Sequence, residues 1–99
     1  MNWHVYIILC TDNSLYTGIT NNIERRMLQH TTSRGAKYFR ARKPLQLVYL
    51  ENGHSRSSAS RREAAIKQLK RPEKEELIAS ASNEIDDPLA TERYPPNRI

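Results

Sequence analysis

Arg26 and His30 stand four residues apart, so on a helix they would share one face. A guanidinium beside an imidazole is suited to gripping a phosphate; an ordinary solvated helix face is the plain alternative. Glu63 is the only acidic residue between Ser58 and Lys70, set among Arg61, Arg62 and Lys67. A carboxylate kept among cations can hold a divalent metal, because hard Mg²⁺ takes oxygen from one or two carboxylates and completes its shell with water and substrate phosphate. The competing use of Glu63 is an i,i+4 surface pair with Lys67, worth a few tenths of a kcal/mol. Tyr6 and Tyr16 fall on two neighbouring strand-like runs, where tyrosine is common for its strand propensity alone.

These residues need elements to position them. Trp3 to Leu9 is rich in aromatic and β-branched residues, Thr11-Asp12-Asn13-Ser14 is turn chemistry, and Leu15 to Thr20 reads as a second strand. If Cys10 paired with Leu15 across a four-residue loop, Tyr6 and Tyr16 would point to opposite faces; a five-residue loop or a bulge would bring them together. Gly18 marks either such a bulge or a close backbone approach. Asn21, with Glu24 three residues on, predicts a helix from Asn22 to about Thr31. Residues 32–44 form a basic loop holding Lys37, Arg40 and Arg42. Leu45 to Leu50 is a third strand, closed by Asn52-Gly53. A helix begins at Ser57 or Ser58, with Ala59, Arg62, Ile66 and Leu69 on one face, and Pro72 opens another that runs from Glu73 to about Ala81. The order β-β-α-β-α-α predicts an α+β domain over residues 1–81 with a small, three-stranded, mainly antiparallel sheet flanked by helices. Residues 82–99 read as an acidic, extended tail.

Length and charge bound the function. At 99 residues there is room for one core. Of 16 Lys and Arg residues, 14 precede Glu75, while six of the 11 acidic residues lie from Glu75 onward. A basic body with an acidic tail favours a polyanionic partner. The single Cys10 excludes an internal disulfide and a multi-cysteine zinc site, and with no signal-like start and no stretch near the roughly 20 apolar residues of a membrane span, it points to the cytoplasm. Without a glycine-rich phosphate loop or a G-x-S-x-G turn, P-loop hydrolysis and serine-hydrolase chemistry lose support.

Taken in order, Val5-Tyr6-Ile7, Tyr16-Thr17-Gly18, Arg26, His30 and Glu63 resemble the GIY-YIG nuclease superfamily and, within it, the small stand-alone bacterial proteins of the YhbQ-like (UPF0213) group. The resemblance covers about residues 3 to 78 and includes Glu24-Arg25-Arg26, Gln29-His30, Gly35-Ala36-Lys37 and Arg62-Glu63-Ala64-Ala65-Ile66-Lys67. Val5 stands where the first glycine of the motif would be, and Thr17 where isoleucine or valine is usual; neither position donates a catalytic group.

The resemblance implies hydrolysis of DNA phosphodiester bonds with Mg²⁺ or Mn²⁺, in DNA repair or processing. Glu63 would hold the metal, Arg26 would contact the scissile phosphate, Tyr6 would act as general base or positioning group, and Tyr16 and His30 would orient water or stabilise developing charge. Arg25, Lys37, Arg40, Arg42 and Lys67 are the expected nucleic-acid contacts, with RNA open alongside DNA and a protein partner as a possible source of specificity. The rival expectations are a non-catalytic nucleic-acid-binding domain and an adaptor that docks a protein through the last helix or the tail.

Overall fold

A computed structural model describes residues 2–31 and 43–85 of the chain. The elements run β1 (Trp3–Cys10), β2 (Leu15–Thr20), α1 (Ile23–Thr31), β3 (Pro44–His54), α2 (Arg56–Lys67) and α3 (Arg71–Ile78). The three strands form one antiparallel sheet in the order β2-β1-β3, the α+β architecture the sequence predicts. β1 is the central strand, and Val5 through Cys10 are all buried, which explains its almost unbroken apolar run.

Alternation along β1 divides the core into two halves. Val5, Ile7 and Leu9 pack with Val48 and Tyr49 of β3 and with Ala59 and Ile66 of α2, and Leu77 and Ile78 of α3 close that side. Tyr6, Ile8 and Cys10 face the other way, with Tyr16, Leu47 and Leu50 of the sheet and with Ile23 and Met27 of α1. The basic face of α1 is therefore tied to the same layer as the two tyrosines.

The hairpin settles their register. Leu9 pairs with Leu15, and pairing continues without a bulge to His4 and Thr20. The turn places Asn13 at φ 69°, a left-handed position that asparagine tolerates. The Asn13 amide donates to the Cys10 carbonyl and the Cys10 amide to the Ser14 carbonyl, both at 2.9 Å. Five residues thus separate the Leu9–Leu15 pair, and Tyr6 and Tyr16 share a face.

Gly18 lies opposite Tyr6 in this register. A β-carbon at Gly18 would stand 2.5 Å from the Tyr6 hydroxyl oxygen and 3.2 Å from the Tyr16 ring, so the glycine is the close approach, not a bulge. Gly18→Ala is expected to cost about 1–3 kcal/mol through overpacking and to displace the Tyr6 ring. Urea unfolding checks this: a variant as stable as wild type would show that the ring yields freely.

Four elements differ from expectation, each for a local reason. α3 runs Arg71–Ile78 instead of from Glu73 to about Ala81, because the Glu73 carboxylate accepts from the Lys70 amide at 2.8 Å and so caps the helix two residues earlier. The Asn22 side chain, not that of Asn21, accepts from the Arg25 amide at 3.0 Å and so caps α1. β3 continues through Asn52-Gly53 because Gly53, at φ 76°, accommodates an extra residue between the Trp3–His54 and Val5–Glu51 pairs. α2 starts at Arg56 because Ser55 and Ser58 bond each other's backbone amides in a reciprocal capping box.

Asn83, in the segment read as tail, is tied to the sheet. Its amide nitrogen donates to the carbonyls of Val48 (2.8 Å) and Ile78 (2.9 Å), and its oxygen accepts from the amides of Leu50 (3.2 Å) and Ile85 (3.1 Å). The Glu84 amide adds a 2.7 Å bond to the Leu50 carbonyl.

Candidate active site

The two tyrosine rings lie 6.3 Å apart between centroids, tilted at 43°. Tyr6 is fully buried, whereas Tyr16 is half-buried. Arg26, on the first turns of α1, reaches this wall: its Nε donates to the Tyr6 hydroxyl at 3.4 Å, and its Nη1 donates to Gln29 Oε1 at 3.1 Å. Tyr16 is hydrogen-bonded to the same guanidinium, and these bonds, that to Tyr6 foremost, raise the Arg26 pKa above its ordinary value. Gln29, one turn along α1, thus acts as a brace that holds the arginine across the tyrosines.

Burial pushes the Tyr6 hydroxyl up to about 12, the Arg26 hydrogen bond partly offsets it, and the charges of Tyr16 and Glu63 add to the rise. Arg26 on α1 and the β1–β2 hairpin thus meet at this hydroxyl, and the charge of Glu63 on α2 is felt there as the smallest of these influences. The raised pKa has a consequence for stability. The folded protein holds the Tyr6 proton more tightly than the unfolded chain, where tyrosine ionises near 10. This contribution is fully present below pH 10 and is lost as pH rises toward 12, a fall of about 3 kcal/mol. Urea unfolding at pH 9 to 11 should show wild type losing more stability with pH than Tyr6→Phe; parallel curves would contradict it.

The Glu63 side chain is 24% exposed and its Oε2 lies 3.2 Å from Lys67 Nζ. The i,i+4 pair anticipated as the plain alternative is formed, and Lys67, expected as a nucleic-acid contact, has its ammonium on this carboxylate. Such a pair is weak and leaves Glu63 open to a stronger cation. Arg25 is exposed beside Arg26 on α1. His30 falls on α1, but its side chain lies outside the described residues, as do Lys37, Arg40 and Arg42 entirely.

No cluster of three or more His, Cys, Asp or Glu side chains that could hold a metal occurs among the described residues. The candidate metal donor among the described residues is the single carboxylate of Glu63 on α2. That suits Mg²⁺ or Mn²⁺, which keep several waters and accept substrate phosphate, and does not suit a closed zinc site. Glu51 is no competitor for the role, because it already accepts from Tyr49, His54 and Arg62. Sequence reading missed Gln29 as a brace and Glu51 as a partly buried hydrogen-bonded hub. The i,i+3 spacing of Arg26 and Gln29 carried the first; the second depends on the docking of α2 against β3, which local spacing does not encode.

Residues 2–76 match the GIY-YIG catalytic domain. The chain belongs to the GIY-YIG family. Among its relatives, UPF0213 protein DP2720 of Desulfotalea psychrophila is 51% identical over 80 residues, which cover 80% of this chain and 73% of that one. UPF0213 protein SH2523 of Staphylococcus haemolyticus is 49% identical over 75 residues, 76% of this chain and 92% of the other. The solution NMR structure of the UPF0213 protein BH0048 from Bacillus halodurans is 41% identical, superimposes with a TM-score of 0.54, and covers 83% of this chain and 87% of its own. The GIY-YIG chain thus has a nuclease-family fold of the UPF0213 type. No helix among its described residues is long and apolar enough to cross a membrane.

Proposed function

We propose that the chain is a metal-dependent endonuclease that hydrolyses DNA phosphodiester bonds and serves in DNA repair or processing in the cytoplasm. One observation carries this reading: a guanidinium fixed against two neighbouring, tilted tyrosines on a basic body, with a metal-competent carboxylate on α2. Arg26, pinned by Tyr6 and Gln29, offers its remaining N–H donors to the non-bridging oxygens of a phosphate. Tyr6 keeps its proton at neutral pH and acts as the positioning group of the pair, and Tyr16 and His30 orient the attacking water. Glu63 would hold Mg²⁺ or Mn²⁺, which when bound supplies Lewis-acid stabilisation of charge on the phosphoryl oxygens.

Arg25, Lys37, Arg40, Arg42 and Lys67 provide sequence-independent phosphate contacts, so binding is salt-sensitive and reads DNA shape more than bases. RNA, which carries the same phosphodiester charge on an A-form backbone, is the second substrate class, and a protein partner would supply specificity. One observation favours the rival, non-catalytic binder: Lys67 occupies the Glu63 carboxylate. Incubation of supercoiled plasmid with wild type and Tyr6→Phe separates the two. Nicking by wild type in Mg²⁺ but not in EDTA, slowed about a hundredfold in Tyr6→Phe, is expected; intact plasmid in every lane would leave the binder.

A further inference from the structure

Glu51 is the hub of a second polar cluster, on the opposite side of the sheet from the tyrosine wall. Its side chain is 12% exposed. Oε1 accepts from His54 Nε2 at 2.9 Å, and Oε2 accepts from Arg62 Nε at 2.9 Å and from the buried Tyr49 hydroxyl. Burial alone would raise the carboxyl pKa, but the bonds from Tyr49, His54 and Arg62 overcome it and hold it below the ordinary range. Glu51 is therefore a charged, fixed anchor at the end of β3.

Arg62 is the residue before Glu63, and the helix turns roughly 100° per residue. Ala59 and Ile66, the buried residues of α2, lie seven apart and define one stripe. Arg62 falls roughly 50° to one side of that stripe and Glu63 roughly 50° to the other. The Arg62 flank is bonded to β3, so the Glu63 flank is turned toward β1 and β2, against which α2 also packs and which carry the two tyrosines. One alanine and one isoleucine make a thin apolar stripe, and Ala64 and Ala65 are exposed. Packing by itself fixes the rotation of such a helix weakly.

We infer that Glu51 and Arg62 are positioning residues: their ion pair sets the rotation of α2 and thereby aims the Glu63 carboxylate at the tyrosine wall. This rests on the reading of Glu63 as the metal-holding carboxylate. Groups that orient a ligand from behind are commonly worth 10- to 100-fold in metal affinity, so loss of the strut should be felt at Glu63 without any change in the ligand itself.

The test is paramagnetic line broadening by Mn²⁺, followed by NMR on the full chain without DNA. In wild type, Mn²⁺ should broaden the Glu63, Tyr6 and Tyr16 resonances first, and Glu63→Gln should abolish that selectivity. Arg62→Gln should raise the Mn²⁺ concentration for half-broadening about tenfold, and Arg62→Lys, which keeps a cation on Glu51, should recover most of it. The double variant Glu51→Gln/Arg62→Gln leaves no unpaired buried charge and should show the same tenfold rise even if Arg62→Gln folds poorly. Wild-type broadening lost in Glu63→Gln but unaltered in the double variant would overturn the strut alone. Absence of selective broadening in wild type would overturn the metal reading, and the strut with it.

Discussion

Glu63→Gln should stop cleavage while leaving DNA binding almost intact. The substitution is nearly isosteric and removes one negative charge from a 24% exposed side chain, so its structural cost is limited to the Lys67 pair, a few tenths of a kcal/mol. Thermal unfolding should shift by no more than about 2 °C. The chemical cost is much larger, because no cluster of three or more His, Cys, Asp or Glu side chains that could hold a metal without it occurs among the described residues. Losing the metal ligand removes several kcal/mol of transition-state stabilisation, and about 4 kcal/mol corresponds to roughly a thousandfold in rate. Single-turnover cleavage and fluorescence anisotropy measure the two quantities separately. A rate fall of about a thousandfold with affinity within about threefold is expected; a rate within about tenfold of wild type would remove Glu63 from the chemistry.

Arg26→Ala should lower the rate by about 10²–10³, the usual effect of removing one donor aimed at developing charge. Extra Mg²⁺ should not restore it, because the guanidinium is bonded to Tyr6 and Gln29 and serves the phosphate. Arg26→Lys should recover only part of the rate, since an ammonium cannot bridge the tyrosine and a phosphate with a planar fork. The variant also loses the hydrogen bond that holds the Tyr6 pKa down, so Tyr6 becomes still harder to ionise. Binding should weaken modestly and the slope of log affinity against log salt should fall by about one. Full rescue at high Mg²⁺ would show that Arg26 acts through the metal site.

Much of this was legible because it is local. Alternating apolar and aromatic residues with Asp12-Asn13 between them specify the hairpin, and the arginine, histidine and glutamate spacings mark helix faces. Register was readable only as alternatives, since the choice between a four- and a five-residue loop turns on whether Asn13 takes a left-handed conformation. Gly18 announced a special backbone position but not the Tyr6 ring above it, which depends on that register. Asn52-Gly53 resembles a strand end and is instead a bulge, because His54 continues to pair with Trp3. Glu51 and Arg62 meet only when α2 docks on β3, and Asn83 finds its carbonyls only when α3 has returned to the same strand. Such long-range contacts leave no periodic trace in the chain.

The most direct test of the nuclease reading is cleavage of labelled duplex, nicked, branched and single-stranded DNA by the purified chain in Mg²⁺, Mn²⁺ or EDTA, with Glu63→Gln alongside. Cutting that requires metal, is strongest on one of these structures and vanishes in Glu63→Gln is the predicted result. Salt-sensitive binding without cutting on every substrate and in every metal would contradict it and make the chain a non-catalytic binder built on a nuclease fold.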